Sequence, residues 1–277
     1  MRVGGPTALA AFPTSRAELS RLIQTAKEHN VRHIIVGNAS NILFSDRGFD
    51  GLAIFTTAMR NIVWNGSSVT ADCGASLTGL AAAATKRGLS GLEFAFGIPG
   101  TIGGAVYMNA GAYGSQVSAV LASSEYLKNG EILKRTAEEH KFGYRTSVYR
   151  STDDIILSAE FTLTPGDPEE IAAKAKQNMD SRRSKQPLEY PNAGSVFKRP
   201  EGAFPGALIE EADSRASASA VPKFQKSTPT LSLTAEVQPQ TIFSVSRKPR
   251  KKRFISNSAS FWKPKSSIYL NNLNQEL

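Results

Sequence analysis

Three segments of the chain place apolar residues at helical spacing. These segments are residues 16–29, 76–88 and 167–187. Ser15 is suited to the N-cap of the first helix. Gly88 is suited to the end of the second, because glycine readily adopts the left-handed backbone at which many helices stop. The pattern therefore predicts three helices.

Runs rich in β-branched and aromatic residues predict strands between these helices. The runs are residues 31–37, 51–56, 67–75 and 153–166. The last run stops at a Pro-Gly pair, and the stretch from Pro165 to Pro168 is the predicted domain boundary. This alternation of strands and helices indicates an α+β or α/β protein with two lobes.

Cysteine content and hydropathy limit the class of protein. The single cysteine, Cys73, excludes an intramolecular disulfide and argues against a cysteine-based metal site, so no metal is predicted. The sequence shows no signal peptide and no apolar run long enough to span a membrane. We therefore expect a cytoplasmic protein, and we expect it to be monomeric.

Positive charge is concentrated in the last quarter of the chain. Residues 1–213 carry 22 Lys and Arg against 22 Asp and Glu, whereas residues 214–277 carry 11 against 2 and contain no glycine. No helical stripe of useful length runs through this second segment, so it would bury little apolar surface. Together with the boundary at Pro165–Pro168, this composition break predicts domains at 1–164 and 165–213, followed by a disordered, basic, Ser-rich tail at 214–277.

Two glycine-containing stretches are candidates for a cofactor site. The first reads VGNASNILFSDRGFDG (36–51), and the second reads LEFAFGIPGTIGGAVYMNAGA (92–112). Glycine lets main chain approach a ligand closely, and exposed main-chain N–H groups can bind phosphate. Each stretch alone is also compatible with an ordinary packed turn, but two together favour a large phosphorylated cofactor. The candidate cofactor residues are Gly37, Asn38, Ala39, Ser40, Asn41, Gly97, Ile98, Pro99, Gly100, Thr101, Gly103, Gly104, Asn109, Ala110 and Gly111.

Two further motifs contain polar residues that could contact a substrate. In KFGYRTSVYR (141–150), Arg145 lies in a strand-like run and could bind a carboxylate, although a solvated arginine fits the same pattern. In YPNAGSVFKRP (190–200), Ser195 lacks the flanks of a nucleophile elbow, and none of the three histidines is an obvious base. A hydrolase triad is therefore disfavoured, whereas a proton-donating serine remains open.

Four motifs in order resemble the UDP-N-acetylenolpyruvoylglucosamine reductase (MurB) family, in its shorter, second type. They are GNASNILFSD, GLEFAFGIPGTIGGAVYMNAGAYG, FGYRTSVYR and NAGSVFKRPEGAFPGALIEEA. The resemblance extends from about Arg2 to Ala212. It implies an α+β fold: an FAD-binding domain of the vanillyl-alcohol-oxidase type, an incomplete α+β substrate domain, and the tail.

The resemblance also implies a chemistry and its residues. NADPH would reduce FAD, and the flavin would pass hydride to the enolpyruvyl double bond of a UDP-sugar during peptidoglycan synthesis. Arg145 would hold the substrate carboxylate and stabilise the enolate, and Ser195 would protonate it. Lys185 and Lys198 would contact phosphate or substrate.

Both ends of the chain depart from the family pattern. Family members usually carry about one helix and a strand before the motif that here begins at Met1, so Met1 is expected to be an internal methionine used as the start. They also continue past the position of Ala212 with a Gly-Gly-Ala-Gln-Val-Ser-Glu-Lys-His segment and a catalytic glutamate. Suitable codons in a shifted frame recover family-like segments from 213–229 and 261–270. We therefore expect a frameshift near Ala212–Asp213, impaired or absent turnover, and poor solubility.

Parts of the sequence are compatible with two other functions. The run SRKPRKKRF (246–254) could bind nucleic acid or another anionic surface, but it lacks interleaved aromatic residues and a fold, so a solvated basic run is favoured. Another enzyme of the same FAD fold is disfavoured by the Tyr-Arg-Thr-Ser and Asn-Ala-Gly-Ser motifs.

Overall fold

The computed structural model describes residues 4–186, 188, 198, 200 and 202, together with the backbone of 267–269. The chain divides into two compact units. Unit 1 comprises Met1–Pro6, Ala39–Phe49 and Arg182–Leu277, and unit 2 comprises Thr7–Asn38 and Asp50–Ser181. The predicted boundaries at 164/165 and 213/214 stay predictions, and the composition break near Asp213 lies outside the described residues.

Four α-helices lie within the described residues. They are α1 (Arg16–Glu28), α2 (Leu77–Lys86), α3 (Ile102–Tyr107) and α4 (Pro168–Lys185). Ser15 Oγ accepts a hydrogen bond from the Glu18 N–H and caps α1, as the sequence predicts. Gly88 has φ +66° just after α2 ends, which is the conformation that its predicted role requires. No helix in this described part is long and apolar enough to cross a membrane.

Strands of three or more residues build the sheets. They are β1 (Thr7–Ala11), β2 (His33–Val36), β3 (Ile42–Phe44), β4 (Phe49–Phe55), β5 (Ile62–Asn65), β6 (Ser68–Asp72), β10 (Leu121–Lys128), β11 (Glu131–Thr136), β12 (Ile155–Thr162) and β14 (Ser267–Tyr269). Two-residue strands complete the list: β7 (Leu89–Ser90), β8 (Gly111–Ala112), β9 (Ser115–Gln116) and β13 (Thr164–Pro165).

Two sheets organise unit 2. A three-stranded sheet has the order β1-β4-β2, with β2 and β4 parallel so that Ile34 pairs with Ala53. A five-stranded sheet has the order β11-β10-β12-β6-β5 and is antiparallel throughout. In unit 1, the backbone of β14 pairs in parallel with β3.

The core of unit 2 lies between the five-stranded sheet and the helices. Phe161 on β12 and Val69 on β6 are fully buried, as are Leu80 on α2 and Ile102 on α3. The α3 helix packs against β12 and β6. With α3 buried on this sheet, Pro99 and Gly104 are the exposed residues of the second glycine stretch.

Candidate functional site

The two glycine stretches meet at the hydroxyl group of Thr101. Gly37 follows β2, and a Cβ atom placed on it would overlap Thr101 Oγ1. A Cβ placed on Gly104 would lie 3.6 Å from the same oxygen. Thr101 occupies the N-cap position of α3, but its side chain does not cap the helix. Residues 37 and 101–104, which the sequence assigns to one cofactor site, therefore lie together in unit 2.

Gly104 presents open main chain at this point. Gly104 is exposed. Apart from its chain neighbours and the backbone of its own helix, Thr101 Oγ1 is the one atom of the described residues within 4 Å of a Cβ placed there. Gly104 is the third residue of α3, so its N–H belongs to the first turn and has no partner inside the helix. An N–H of this kind beside a hydroxyl can bind a phosphate oxygen.

Other main-chain groups of the second stretch serve packing. The N–H of Ile102 donates to the Ala75 carbonyl at 2.9 Å, and the N–H of Gly103 donates to the Cys73 carbonyl at 2.8 Å. A Cβ on Gly103 would lie 3.0 Å from Cys73 Cβ, which explains the glycine without a ligand. The loop before α3 is thus fixed to the core.

The turn that leads into this loop contains a buried carboxylate. Glu93 accepts hydrogen bonds from Ser90 Oγ at 2.6 Å and from the Gly91 N–H at 2.9 Å. Burial raises its pKa, but these hydrogen bonds outweigh burial and bring the pKa below its usual value. Thr78 Oγ1 donates to the Ile98 carbonyl at 2.9 Å and holds the following residues to α2. The loop is therefore held in place without a ligand.

Arg145 lies in a tight turn, and the prediction of a strand-like run was wrong. Gly143 and Thr146 form an isolated antiparallel bridge, with Tyr144 and Arg145 between them. Arg145 has φ +57°, a left-handed conformation that costs a residue of this type about 1–3 kcal/mol. Two hydrogen bonds between Gly143 and Thr146, at 3.1 and 3.3 Å, maintain it. Alternation alone could not predict this turn, because arginine is not a typical turn residue.

The guanidinium group of Arg145 faces the end of the second glycine stretch. Its Nη1 donates to the Asn109 carbonyl at 3.5 Å, and its Nη2 donates to the Gly111 carbonyl. Its Nε is buried and has no hydrogen-bond partner within the described residues. A buried donor without a partner costs about 1–3 kcal/mol, so this edge of the guanidinium is suited to an incoming acceptor such as a carboxylate.

Asn109 contributes to the fold of the region through its side chain. Asn109 is fully buried, and its Nδ2 donates to the Gly143 carbonyl at 3.0 Å. Its Oδ1 accepts from the Ser118 N–H at 3.0 Å. The predicted contact between Asn109 and a cofactor stays a prediction, but the side-chain amide already has protein partners on both sides.

A buried polar network flanks the Arg145 turn. Ser124 Oγ lies 2.8 Å from His140 Nε2 and 2.7 Å from the Tyr149 hydroxyl, while His140 Nδ1 lies 2.5 Å from the Thr136 carbonyl. Burial lowers the pKa of His140 despite the Thr136 carbonyl, and the charge of Arg135 acts in the same direction. The histidine is therefore neutral at pH 7, with Nδ1 as the donor to Thr136. Sequence analysis missed this network, because its members are far apart in the chain.

We expect the stability of the chain to fall on mild acidification because of His140. The folded pKa lies below that of the unfolded chain, so the unfolded state binds more protons as the pH falls below about 6.5. The free energy of unfolding should decrease from that pH downward and should level off below the folded pKa. Denaturant unfolding of wild type and His140→Gln at a series of pH values measures this. An equal slope in both proteins between about pH 6.5 and 5 would contradict it.

The remaining predicted site residues lie elsewhere or are not described. Ala39, Ser40 and Asn41 belong to unit 1, where Ala39 has φ +48°. Lys185 is exposed at the last residue of α4, and Lys198 is half-buried, both in unit 1. Ser195 lies outside the described residues. The roles of these residues stay predictions.

Comparison with known proteins decides the family. Residues 7–135 match the family model described as an FAD binding domain. UDP-N-acetylenolpyruvoylglucosamine reductase of Streptococcus thermophilus (strain ATCC BAA-491 / LMD-9) is 47% identical over 213 residues, which cover 76% of this chain and 70% of the relative. The enzyme of the same name from Lactobacillus johnsonii is 49% identical over 214 residues, covering 76% and 71%. The chain belongs to the UDP-N-acetylenolpyruvoylglucosamine reductase family.

A solved structure supports the fold of this family member. The crystal structure of UDP-N-acetylenolpyruvylglucosamine reductase (MurB) from Thermus caldophilus superposes with a TM-score of 0.81 at 24% identity and covers 97% of this chain and 94% of that one. The predicted α+β class with an FAD-binding domain of the vanillyl-alcohol-oxidase type is thereby confirmed. The domain match contains both glycine stretches, whereas Arg145 lies just beyond it.

Proposed function

We propose that the chain binds FAD and reduces UDP-N-acetylenolpyruvoylglucosamine to UDP-N-acetylmuramate with NADPH as the electron donor. The observation that carries the proposal is the position of Arg145 beside the second glycine stretch. Its guanidinium donates to the Asn109 and Gly111 carbonyls, and its buried Nε has no hydrogen-bond acceptor among the described residues. The FAD binding domain that residues 7–135 match supports the cofactor. The relatives named UDP-N-acetylenolpyruvoylglucosamine reductase support the UDP-sugar substrate.

The residues around Thr101 suit the pyrophosphate of FAD. The hydroxyl of Thr101, a residue that is only 4% exposed, and the N–H of the exposed Gly104 are two neighbouring donors, and Gly37 borders the same hydroxyl. Donors of this kind bind phosphate oxygens without requiring a cationic side chain. Within unit 2, Asn38, Gly97–Thr101, Gly103 and Ala110–Gly111 would line the remaining contact. A role for Ala39, Ser40 and Asn41 is proposed on the resemblance of their motif alone. When bound, FAD would supply the hydride that the protein itself cannot carry.

Arg145 would act on the substrate rather than on the cofactor. A carboxylate at its Nε edge would be oriented by a charged, planar donor, and the same charge would stabilise an enolate that forms next to it. The two main-chain carbonyls hold the guanidinium in one orientation, so little side-chain entropy is lost on binding. Ser195 is proposed as the proton donor, and Lys185 and Lys198 as substrate contacts, on the resemblance of their motifs.

NADPH oxidation by the purified full-length chain tests the proposal. We expect a rate that requires both added FAD and the enolpyruvyl nucleotide, measured at 340 nm under anaerobic conditions. We expect the rate to be low, because the resemblance ends near Ala212 and the catalytic glutamate that it implies lies beyond that point. FAD that binds but is neither reduced by NADPH nor reoxidised by the nucleotide would contradict the proposed reaction. Cytoplasmic location, a monomeric state and absence of nucleic-acid binding stay predictions.

A further inference from the structure

Two buried side chains join the Arg145 turn to the end of α3. Asn109 Nδ2 reaches the Gly143 carbonyl on one side of the turn at 3.0 Å. Ser147 Oγ reaches the Tyr107 carbonyl on the other side at 2.8 Å. Both residues are closed to solvent, with exposed fractions of 0% for Asn109 and 4% for Ser147. The turn is thus fastened before and after Arg145 to the same short segment.

These two hydrogen bonds explain how the strained backbone of Arg145 is maintained. Arg145 holds a left-handed backbone, and so does Asn109, with φ +42°. Asparagine tolerates this conformation better than most residues, and its amide offers one donor and one acceptor in the directions that Gly143 and Ser118 require. Without such partners, the turn would relax toward an ordinary conformation and carry the guanidinium with it.

We infer that Asn109 and Ser147 are positioning residues that hold Arg145 in register with the second glycine stretch. In this role they act through the turn. The predicted contact of the Asn109 side chain with the cofactor stays a separate prediction, which the FAD affinity below tests. The expected effect of these residues on substrate binding rests on the proposed function, whereas their effect on the stability of the Arg145 turn does not.

Limited trypsin digestion of the full-length chain tests whether Asn109 and Ser147 keep the Arg145 turn closed. Trypsin cleaves after Arg145 only when the turn opens, and mass spectrometry separates this cut from the cut after the exposed Lys128, which serves as the internal reference. We expect Asn109→Gly and Ser147→Ala each to raise the ratio of the two cleavage rates about tenfold, since each removes a buried hydrogen bond. Glycine is chosen at 109 because it accepts the left-handed backbone.

Ser151→Ala is the matched control for the serine variant. Its Oγ donates to the Val148 carbonyl at 2.9 Å, but the residue is exposed and the bond is local. The control should leave the cleavage ratio unchanged. An unchanged ratio in Asn109→Gly and Ser147→Ala, or a parallel rise at Lys128 that reflects general unfolding, would overturn the inference.

Measurements of FAD and nucleotide affinity test separately whether the two residues position Arg145 for substrate binding. FAD affinity, followed by flavin fluorescence, should stay within about twofold in both variants, whereas affinity for the enolpyruvyl nucleotide, followed by the flavin absorbance, should fall about tenfold. In an Arg145→Asn background, the nucleotide affinity should show no further loss, because positioning matters only while the arginine is present. A tenfold loss of FAD affinity in Asn109→Gly would instead make Asn109 a cofactor contact. Failure of wild type to bind the nucleotide would contradict the proposed function, while the digestion would still decide the role of the two residues.

Discussion

Arg145→Asn should remain folded and bind FAD, yet its affinity for the enolpyruvyl nucleotide should fall about 100-fold. Charge-assisted, bidentate contacts to a carboxylate contribute about 1.5–3 kcal/mol, and asparagine can offer neither the charge nor the fork. The catalytic loss should be larger, about 100- to 1000-fold in kcat/KM, because the arginine would also stabilise the developing enolate. Nucleotide-dependent changes in flavin absorbance measure the affinity, and NADPH oxidation measures the rate.

Asparagine is the informative replacement because it accepts the left-handed turn. Arg145 has φ +57°, so alanine would retain the strain while asparagine reduces it. The free energy of unfolding should therefore stay within about 1 kcal/mol of wild type, since relief of strain offsets the lost contacts to Asn109 and Gly111. Arg145→Lys keeps the positive charge but lacks the planar, bidentate donor geometry of the guanidinium. This variant should retain only part of the wild-type affinity for the nucleotide. Equal nucleotide affinity in wild type and Arg145→Asn would exclude the arginine as the carboxylate site.

Gly104→Ala should change stability and FAD affinity in opposite directions. Gly104 lies within α3, where alanine is favoured over glycine by about 0.5–1 kcal/mol, and Thr101 Oγ1 at 3.6 Å is an ordinary contact. The variant should therefore unfold at a slightly higher denaturant concentration. Its methyl group would occupy the open surface beside the Gly104 N–H, so FAD affinity should fall about 100-fold, or by about 2.7 kcal/mol.

Gly37→Ala provides the contrasting case at the same hydroxyl. Its Cβ would overlap Thr101 Oγ1 within the protein itself, so this variant should lose stability as well as FAD affinity. Loss of stability in Gly104→Ala, or unchanged FAD affinity in that variant, would show that Gly104 serves packing alone.

Local signals in the sequence were sufficient for the three helices with clear ends. Ser15 and Gly88 have the capping roles that their residue types suggest. The α3 helix was not predicted, because Gly103 and Gly104 are poor helix formers and the stretch was interpreted as a turn. It forms because Ile102 and Val106 are fully buried against the five-stranded sheet, a tertiary effect that overrides local propensity.

The sequence could predict which residues belong to the candidate site, but not how these residues are arranged in three dimensions. Motif resemblance selected Gly37, Thr101 and Arg145, whereas the meeting of the first two depends on how β2 and α3 pack in unit 2. The turn at Arg145 depends on Asn109 and Ser147, which reach it from positions that no local pattern connects. Similarly, β6 pairs with β12 across a long intervening segment, and such pairings leave no periodic signal in the sequence.

Titration of FAD with the full-length chain, followed by flavin fluorescence, tests most directly whether the glycine stretches around Thr101 form the cofactor site. Wild type should give a saturable signal with one FAD per chain, and Gly104→Ala should require about 100-fold more protein to reach half-saturation. No saturable signal with wild type, or superimposable curves for the two proteins, would contradict an FAD site at this position.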